Sequence, residues 1–246
     1  MGSIAKIMTA MLVLDTLPLG KVVTVSARAA AVGEQSCGLR AGDRLTVEQL
    51  LFGALVHSGN DAAFALAEAA GGSMEHFVGM MNQKAWELGL SNTHYVNPDG
   101  LDAKGEYSSA ADLAVLARVA MQRPEFSRIV GTVSYSLAVP SAAKPLIFRN
   151  VNRLLGKVDW VTGVKTGSTS DAGFCLVASG SREGTSVISV VLGEPNWTAT
   201  WADSQALLEY GFAIERPVAV WAVVRASWDG LMGWGLAQGS RSVHLS

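Results

Sequence analysis

The order of the hydrophobic patterns constrains this chain more than any other feature. Residues 4–122 read as a run of helices and residues 133–192 as strands. Ile4, Met8, Met11, Leu12 and Leu14 make a segment apolar nearly all round, as in a buried helix, and Pro18-Leu19-Gly20 ends it. Residues 21–25 alternate as a short strand. Thr46 and Gln49 form a capping-box pattern opening a helix to about His57, which Ser58-Gly59-Asn60 interrupts. Helices over 61–70 and 73–88 follow, separated by Gly71-Gly72. Asn97-Pro98-Asp99-Gly100 reads as a turn, and Ser109 with Asp112 as a second capping box opening a helix to about Gln122. After Arg123-Pro124, strand-like runs at 133–139, 161–166, 173–178 and 187–192 are joined by short polar turns, the pattern of an antiparallel meander. An amphipathic helix over 200–213 closes the series. Helices segregated from strands predict an α+β fold, a helical cluster packed on an antiparallel sheet.

Composition excludes several alternatives. The chain has 246 residues, a net charge of −2, 49% apolar residues and two cysteines. That apolar fraction excludes disorder, and two cysteines exclude a disulfide scaffold. The absence of a basic excess argues against a nucleic-acid partner. No stretch reaches the roughly 18 apolar residues of a membrane span; the longest, 7–14 and 217–224, are too short. Met1 to Lys6 runs straight into the apolar segment, so no export signal is read.

Three short motifs occur in order: Ser3-Ile-Ala-Lys6, Ser58-Gly-Asn60 and Lys165-Thr-Gly167. Chance alone supplies about 0.65 Ser-x-x-Lys matches in a chain of this composition, and Ser141-Ala-Ala-Lys144 is a second match. Context separates the two. Ser141 lies between Pro140 and Pro145, where a helix cannot continue. Ser3 opens a helix, where side chains at i and i+3 share a face and the Lys6 amine reaches the Ser3 hydroxyl. A desolvated lysine gives up its proton readily and activates an adjacent serine as a nucleophile. Lys-Thr-Gly is rarer, with about 0.04 chance matches expected. It lies on a predicted strand, where glycine admits close approach of another backbone.

Together the motifs form the signature shared by penicillin-binding proteins and class A β-lactamases. With Ser58-Gly-Asn-Asp-Ala-Ala63, Asn97-Pro-Asp-Gly-Leu-Asp102, Gly163-Val-Lys-Thr-Gly-Ser-Thr169 and Ala172-Gly-Phe-Cys-Leu-Val-Ala178, the chain resembles the serine D-alanyl-D-alanine carboxypeptidases from about Ser3 to Gly211. The resemblance implies a β-lactamase/transpeptidase-like fold, a peptidoglycan stem peptide ending in D-Ala-D-Ala as substrate and β-lactams as inhibitors. It implies Ser3 as nucleophile, Lys6 as its base, Ser58 and Lys165 as the proton path to the leaving amine, and Asn60 as a ligand of the peptide amide and of Lys6. Thr166, Gly167, Ser168 and Thr169 would line the substrate strand, with Thr166 and Ser168 on the terminal carboxylate. The N–H groups of Ser3 and Ser168 would form an oxyanion hole. No cofactor and no metal are implied.

The chain departs from the family in two ways. An arginine usually stands upstream of the Lys-Thr-Gly strand; here Asn150-Val-Asn152 lies between Arg149 and Arg153, either of which could take its place. The family also carries an export signal and an N-terminal strand before the nucleophile. Their absence predicts a chain truncated at its front, an unpaired edge on the late strands, and a cell-envelope location despite the missing signal. Residues 1–215 form the expected catalytic domain. The tail, 216–246, with Trp221, Trp228 and Trp234, suits a strand over 218–224, alone or as the first of a lost second domain, contact of its Trp-rich part with a membrane surface, or an end without fixed structure. Two other functions are compatible with the motifs. A β-lactamase would need a group to activate the deacylating water, which in the class A enzymes is a glutamate between the second and third motifs; Glu106 and Glu125 lie in that interval outside the usual Glu-x-x-Leu-Asn setting. The other is a non-catalytic binding module. His57 and the buried-strand residue Cys175 read as structural, and a bridge from Cys175 to Cys37 is not expected.

Overall fold

A computed structural model of the chain describes residues 1–139, 141–214 and 220–224. A 3₁₀ turn, Gly2–Ala5, runs directly into α1 (Lys6–Thr16), which is buried on all sides from Lys6 to Val13. A two-stranded ladder, β1 (Val22–Thr24) with β2 (Arg44–Thr46), brackets the short α2 (Ala27–Ala30). The Thr46–Gln49 capping box is present in full and opens α3 (Val47–Phe52), which passes into a π-helical turn, Gly53–His57. The helical cluster continues with α4 (Asn60–Gly71), α5 (Met74–Glu87) and α6 (Ala110–Met121).

At α6 the second capping box is only half formed. Ser109 accepts the Asp112 N–H, but the Asp112 carboxylate turns away to the Asn92 N–H and the Thr93 hydroxyl, tying the preceding loop to the helix. Four short elements were not evident in the sequence, α2 among them. Another is α7 (Pro124–Val130), where proline is the first helical residue, a position that needs no N–H partner. The others are β2 and β4 (Leu146–Arg149), which pairs with β3 (Ser134–Leu137) as a hairpin.

The main sheet has the order β5-β6-β7-β8. β5 (Val161–Thr169), β6 (Gly173–Arg182) and β7 (Thr185–Glu194) form the antiparallel meander. Alternate residues of β6 serve two cores. Cys175 and Val177 join the helical cluster, while Leu176 and Ala178 join Val161, Val187 and Leu208 under α8 (Trp197–Ala213). Burial on both faces explains why this strand reads as one apolar run. β8 (Val220–Val224) pairs in parallel on the outer edge of β7, which the sequence left unpaired, and lies beyond the boundary drawn at residue 215. Trp228 and Trp234, singled out for membrane contact, lie outside the described residues. No helix among the described residues is long and apolar enough to cross a membrane.

Candidate active site

The three motifs converge where the 3₁₀ turn, the end of the π-helical turn and the free edge of β5 meet. Ser3 lies in the 3₁₀ turn, and Lys6 follows as the first residue of α1. Lys6 is fully buried, and its Nζ donates to Ser3 Oγ at 2.7 Å, Asn60 Oδ1 at 2.7 Å and the Asp99 carbonyl at 2.9 Å. The last partner sits in the 97–100 turn, which the Asn97 side chain closes on the Gly100 N–H and the Thr9 hydroxyl pins to α1 through the Pro98 carbonyl. Ser58 takes a left-handed conformation, φ 69°, where the π-helical turn stops, and is 6% exposed. Its Oγ accepts from Lys165 Nζ at 2.9 Å, and Lys165 also donates to the Thr166 carbonyl at 3.0 Å. The two serine–lysine pairs lie near enough for the charge of Lys6 to act on Lys165.

Burial governs the electrostatics. Desolvation lowers the Lys6 amine from its ordinary range to about 8, against the opposing pull of the neighbouring acidic groups. The Lys165 amine falls well below the usual lysine range, through burial first and the charge of Lys6 second. Both lysines are thus easier to deprotonate than an exposed one, as a proton-transfer role requires.

β5 is packed at Gly167 against the 3₁₀ turn that carries Ser3. A side chain at Gly167 would fall 2.7 Å from the Met1 carbonyl and 3.1 Å from the Ser3 nitrogen, so only glycine admits this approach. Thr166 is 3% exposed, whereas the Ser168 side chain is open to solvent. The Thr169 hydroxyl accepts the Ala172 N–H and closes the β5–β6 turn.

Asn150 and Asn152 bind backbone, Asn150 on the Val130 and Thr132 carbonyls and Asn152 on the Gly163 carbonyl. Arg149 and Arg153 on either side are exposed. Ser141 of the decoy motif is bonded to Asp43 at 2.7 Å, and Lys144 is exposed. His57 stacks on Phe148, with its Nε2 3.1 Å from the Ser36 carbonyl, a packing role. Cys37 and Cys175 are free thiols. Among the described residues no group of three or more His, Cys, Asp or Glu side chains could hold a metal ion. Two features of the site were missed from the sequence. Asp99 was read only as part of a turn, yet its carbonyl holds Lys6. Asp61, next to Asn60, is a fully buried carboxylate, and the sequence signals it only as an acid in a helix's first turn.

Comparison with known proteins places this geometry. The sequence profile of a family described as D-alanyl-D-alanine carboxypeptidase matches residues 1–196. The chain is 38% identical over 217 residues to D-alanyl-D-alanine carboxypeptidase DacF of Bacillus subtilis (strain 168), covering 86% of this chain and 56% of that protein. It is 36% identical over 229 residues to D-alanyl-D-alanine carboxypeptidase of Streptomyces sp. (strain K15), covering 87% of this chain and 79% of the relative. The crystal structure of the Streptomyces K15 DD-transpeptidase superposes with a TM-score of 0.81 at 35% identity, covering 86% of this chain and 87% of that one. The chain spans little more than half the length of several of these curated relatives. With an α+β fold matched at that level and a family profile covering most of its length, the chain belongs to the D-alanyl-D-alanine carboxypeptidase family.

Proposed function

We propose that this chain is a serine-type D-Ala-D-Ala carboxypeptidase that trims peptidoglycan stem peptides in the cell envelope and is acylated by β-lactams. The observation that carries the reading is the fully buried Lys6 amine, 2.7 Å from Ser3 Oγ. Ser3 Oγ attacks the carbonyl carbon between the two D-Ala residues while its proton passes to Lys6 Nζ. The oxygen of the tetrahedral intermediate faces the N–H groups of Ser3 and Ser168. The C–N bond then breaks, and the departing amine takes a proton by way of Ser58 and Lys165, which stand in hydrogen-bond contact. Asn60 orients Lys6, and Thr166 and Ser168 receive the terminal carboxylate. Water hydrolyses the ester on Ser3 and frees the shortened peptide.

A class A β-lactamase needs a water-accessible carboxylate placed among its catalytic groups, and neither Glu106 nor Glu125 appears in the hydrogen bonds of Ser3, Lys6, Ser58 or Lys165. Both Glu106 carboxyl oxygens are sealed from solvent, and Glu125 lies exposed in the first turn of α7. The test is to incubate the protein with a peptide ending in D-Ala-D-Ala, and separately with a labelled penicillin and with nitrocefin. The expected results are one free D-Ala per peptide cleaved, one penicillin retained per chain, and no sustained nitrocefin turnover. Peptide binding without D-Ala release would favour a non-catalytic binding module, and rapid nitrocefin hydrolysis a β-lactamase.

A further inference from the structure

Loop 33–39 wraps the start of α4 at the second motif. The Asn60 N–H donates to the Gln35 carbonyl at 2.7 Å, and Asn60 Nδ2 donates to the Gly33 carbonyl at 3.2 Å. With its nitrogen on a carbonyl, the Asn60 amide can only turn its oxygen to Lys6, as observed. What holds the loop there is Asp61. Its carboxylate is fully buried and accepts from Ser36 Oγ at 2.7 Å, the Cys37 N–H at 2.9 Å, the Leu39 N–H at 3.0 Å and the Ala62 N–H at 2.8 Å. Only the last of these donors belongs to the helix. A carboxylate that merely complemented a helix end would stay solvated; this one is sealed and spent on the loop.

We infer that Asp61 is a positioning residue for acylation: its carboxylate buckles loop 33–39 around Asn60, and the loop's carbonyls in turn aim the Asn60 oxygen at Lys6. The inference rests on the function proposed above. Asp61→Asn is the discriminating change. Both carboxylate oxygens accept two donors each, so an amide nitrogen in either place confronts N–H or O–H donors with another donor. The change also removes a charge. Lys6 is faced by Asp61, by Asp99 and Glu106 from the 97–106 loop, by Cys37 from loop 33–39, and by Lys165 from β5. Burial pushes the Cys37 thiol up, so it stays protonated and contributes no charge. Loss of Asp61's negative charge lowers the proton affinity of Lys6.

The experiment measures acylation by a fluorescent penicillin across pH, normalised to the sites finally labelled, in the parent, Asp61→Asn and Ser36→Ala proteins. Asp61→Asn is expected to slow acylation per labelled site at least about tenfold and to move its ascending pH limb to lower pH. Ser36→Ala, which keeps the charge and the backbone bonds, is expected to slow it about threefold with the limb unmoved. Fewer labelled sites reacting at the parent rate would mean that Asp61 only stabilises the fold, and would overturn the inference. Nuclear magnetic resonance reads the same buckle without chemistry: the Asn60 side-chain amide should shift and exchange faster in Asp61→Asn. If the parent takes no label, the proposed function fails, and an unchanged Asn60 amide would then overturn the role of Asp61 separately.

Discussion

Covalent labelling by penicillin is expected to vanish in Ser3→Ala and to slow about 10³-fold in Lys6→Ala, with both proteins still folded. Ser3 Oγ is the only hydroxyl bonded to Lys6 among the described residues, so its loss removes the nucleophile and leaves the amine on Asn60 and the Asp99 carbonyl. Lys6→Ala leaves the nucleophile without a base, and Lys165 cannot replace it because that amine is engaged on Ser58. The pH dependence follows from the same group. Lys6 accepts the Ser3 proton only as the neutral amine, so the parent's acylation rate should rise with pH and level off above about 8. A profile flat from pH 6 to 9 would exclude Lys6 as the base. Labelling that survives in Ser3→Ala would move the nucleophile elsewhere, with Ser58 the next serine to examine.

Gly100→Ala is expected to destabilise the fold by about 2–5 kcal/mol and lower Tm by about 5–15 °C. Gly100 holds φ +82°, and a Cβ there would be driven into the Gly2 carbonyl. The obstacle is backbone, so no rotamer relieves it. Relief requires separating the 97–100 turn from the 3₁₀ turn of the nucleophile, which also withdraws the Asp99 carbonyl from Lys6. Acylation should therefore fall in the surviving folded protein. Gly105→Ala is the control. It shares a positive φ, +91°, but has nothing within 4 Å, so the conformational cost alone applies, about 1 kcal/mol. Equal losses at the two positions, measured by urea unfolding, would show that the steric contact is unimportant.

The parts of this molecule that were legible in sequence are those set by local rules. The buried α1, the Thr46–Gln49 cap and the meander follow from periodicity and short-range chemistry. The two prolines around Ser141 distinguished it from Ser3, and in the structure Ser141 is occupied with Asp43. Pro124 misled because proline both stops helices and starts them, and nothing local says which. The short β2 and β4 have too few residues to show alternation. In the site, the motifs picked out residues that the fold brings together, Ser3, Lys6 and Asn60 in one cluster and Ser58 with Lys165 in another, but the supporting contacts are tertiary. The Asp99 carbonyl meets Lys6 93 residues away in sequence, and Asp61 meets loop donors 22 to 25 residues away. Backbone acceptors carry no sequence signal at all.

The buried amines of Lys6 and Lys165 have a thermodynamic consequence for any ligand that brings a carboxylate. Burial of both amines, together with the charge of Lys6 acting on Lys165, leaves the site short of protons relative to two ordinary lysines. An entering anion reverses that balance by raising the proton affinity of both amines, so association draws protons out of solution. Binding heats measured in buffers of different ionisation enthalpy should diverge accordingly. Affinity for a carboxylate ligand is thereby tied to pH in a range where the ligand itself does not titrate, and an amide isostere of the same shape binds without that dependence.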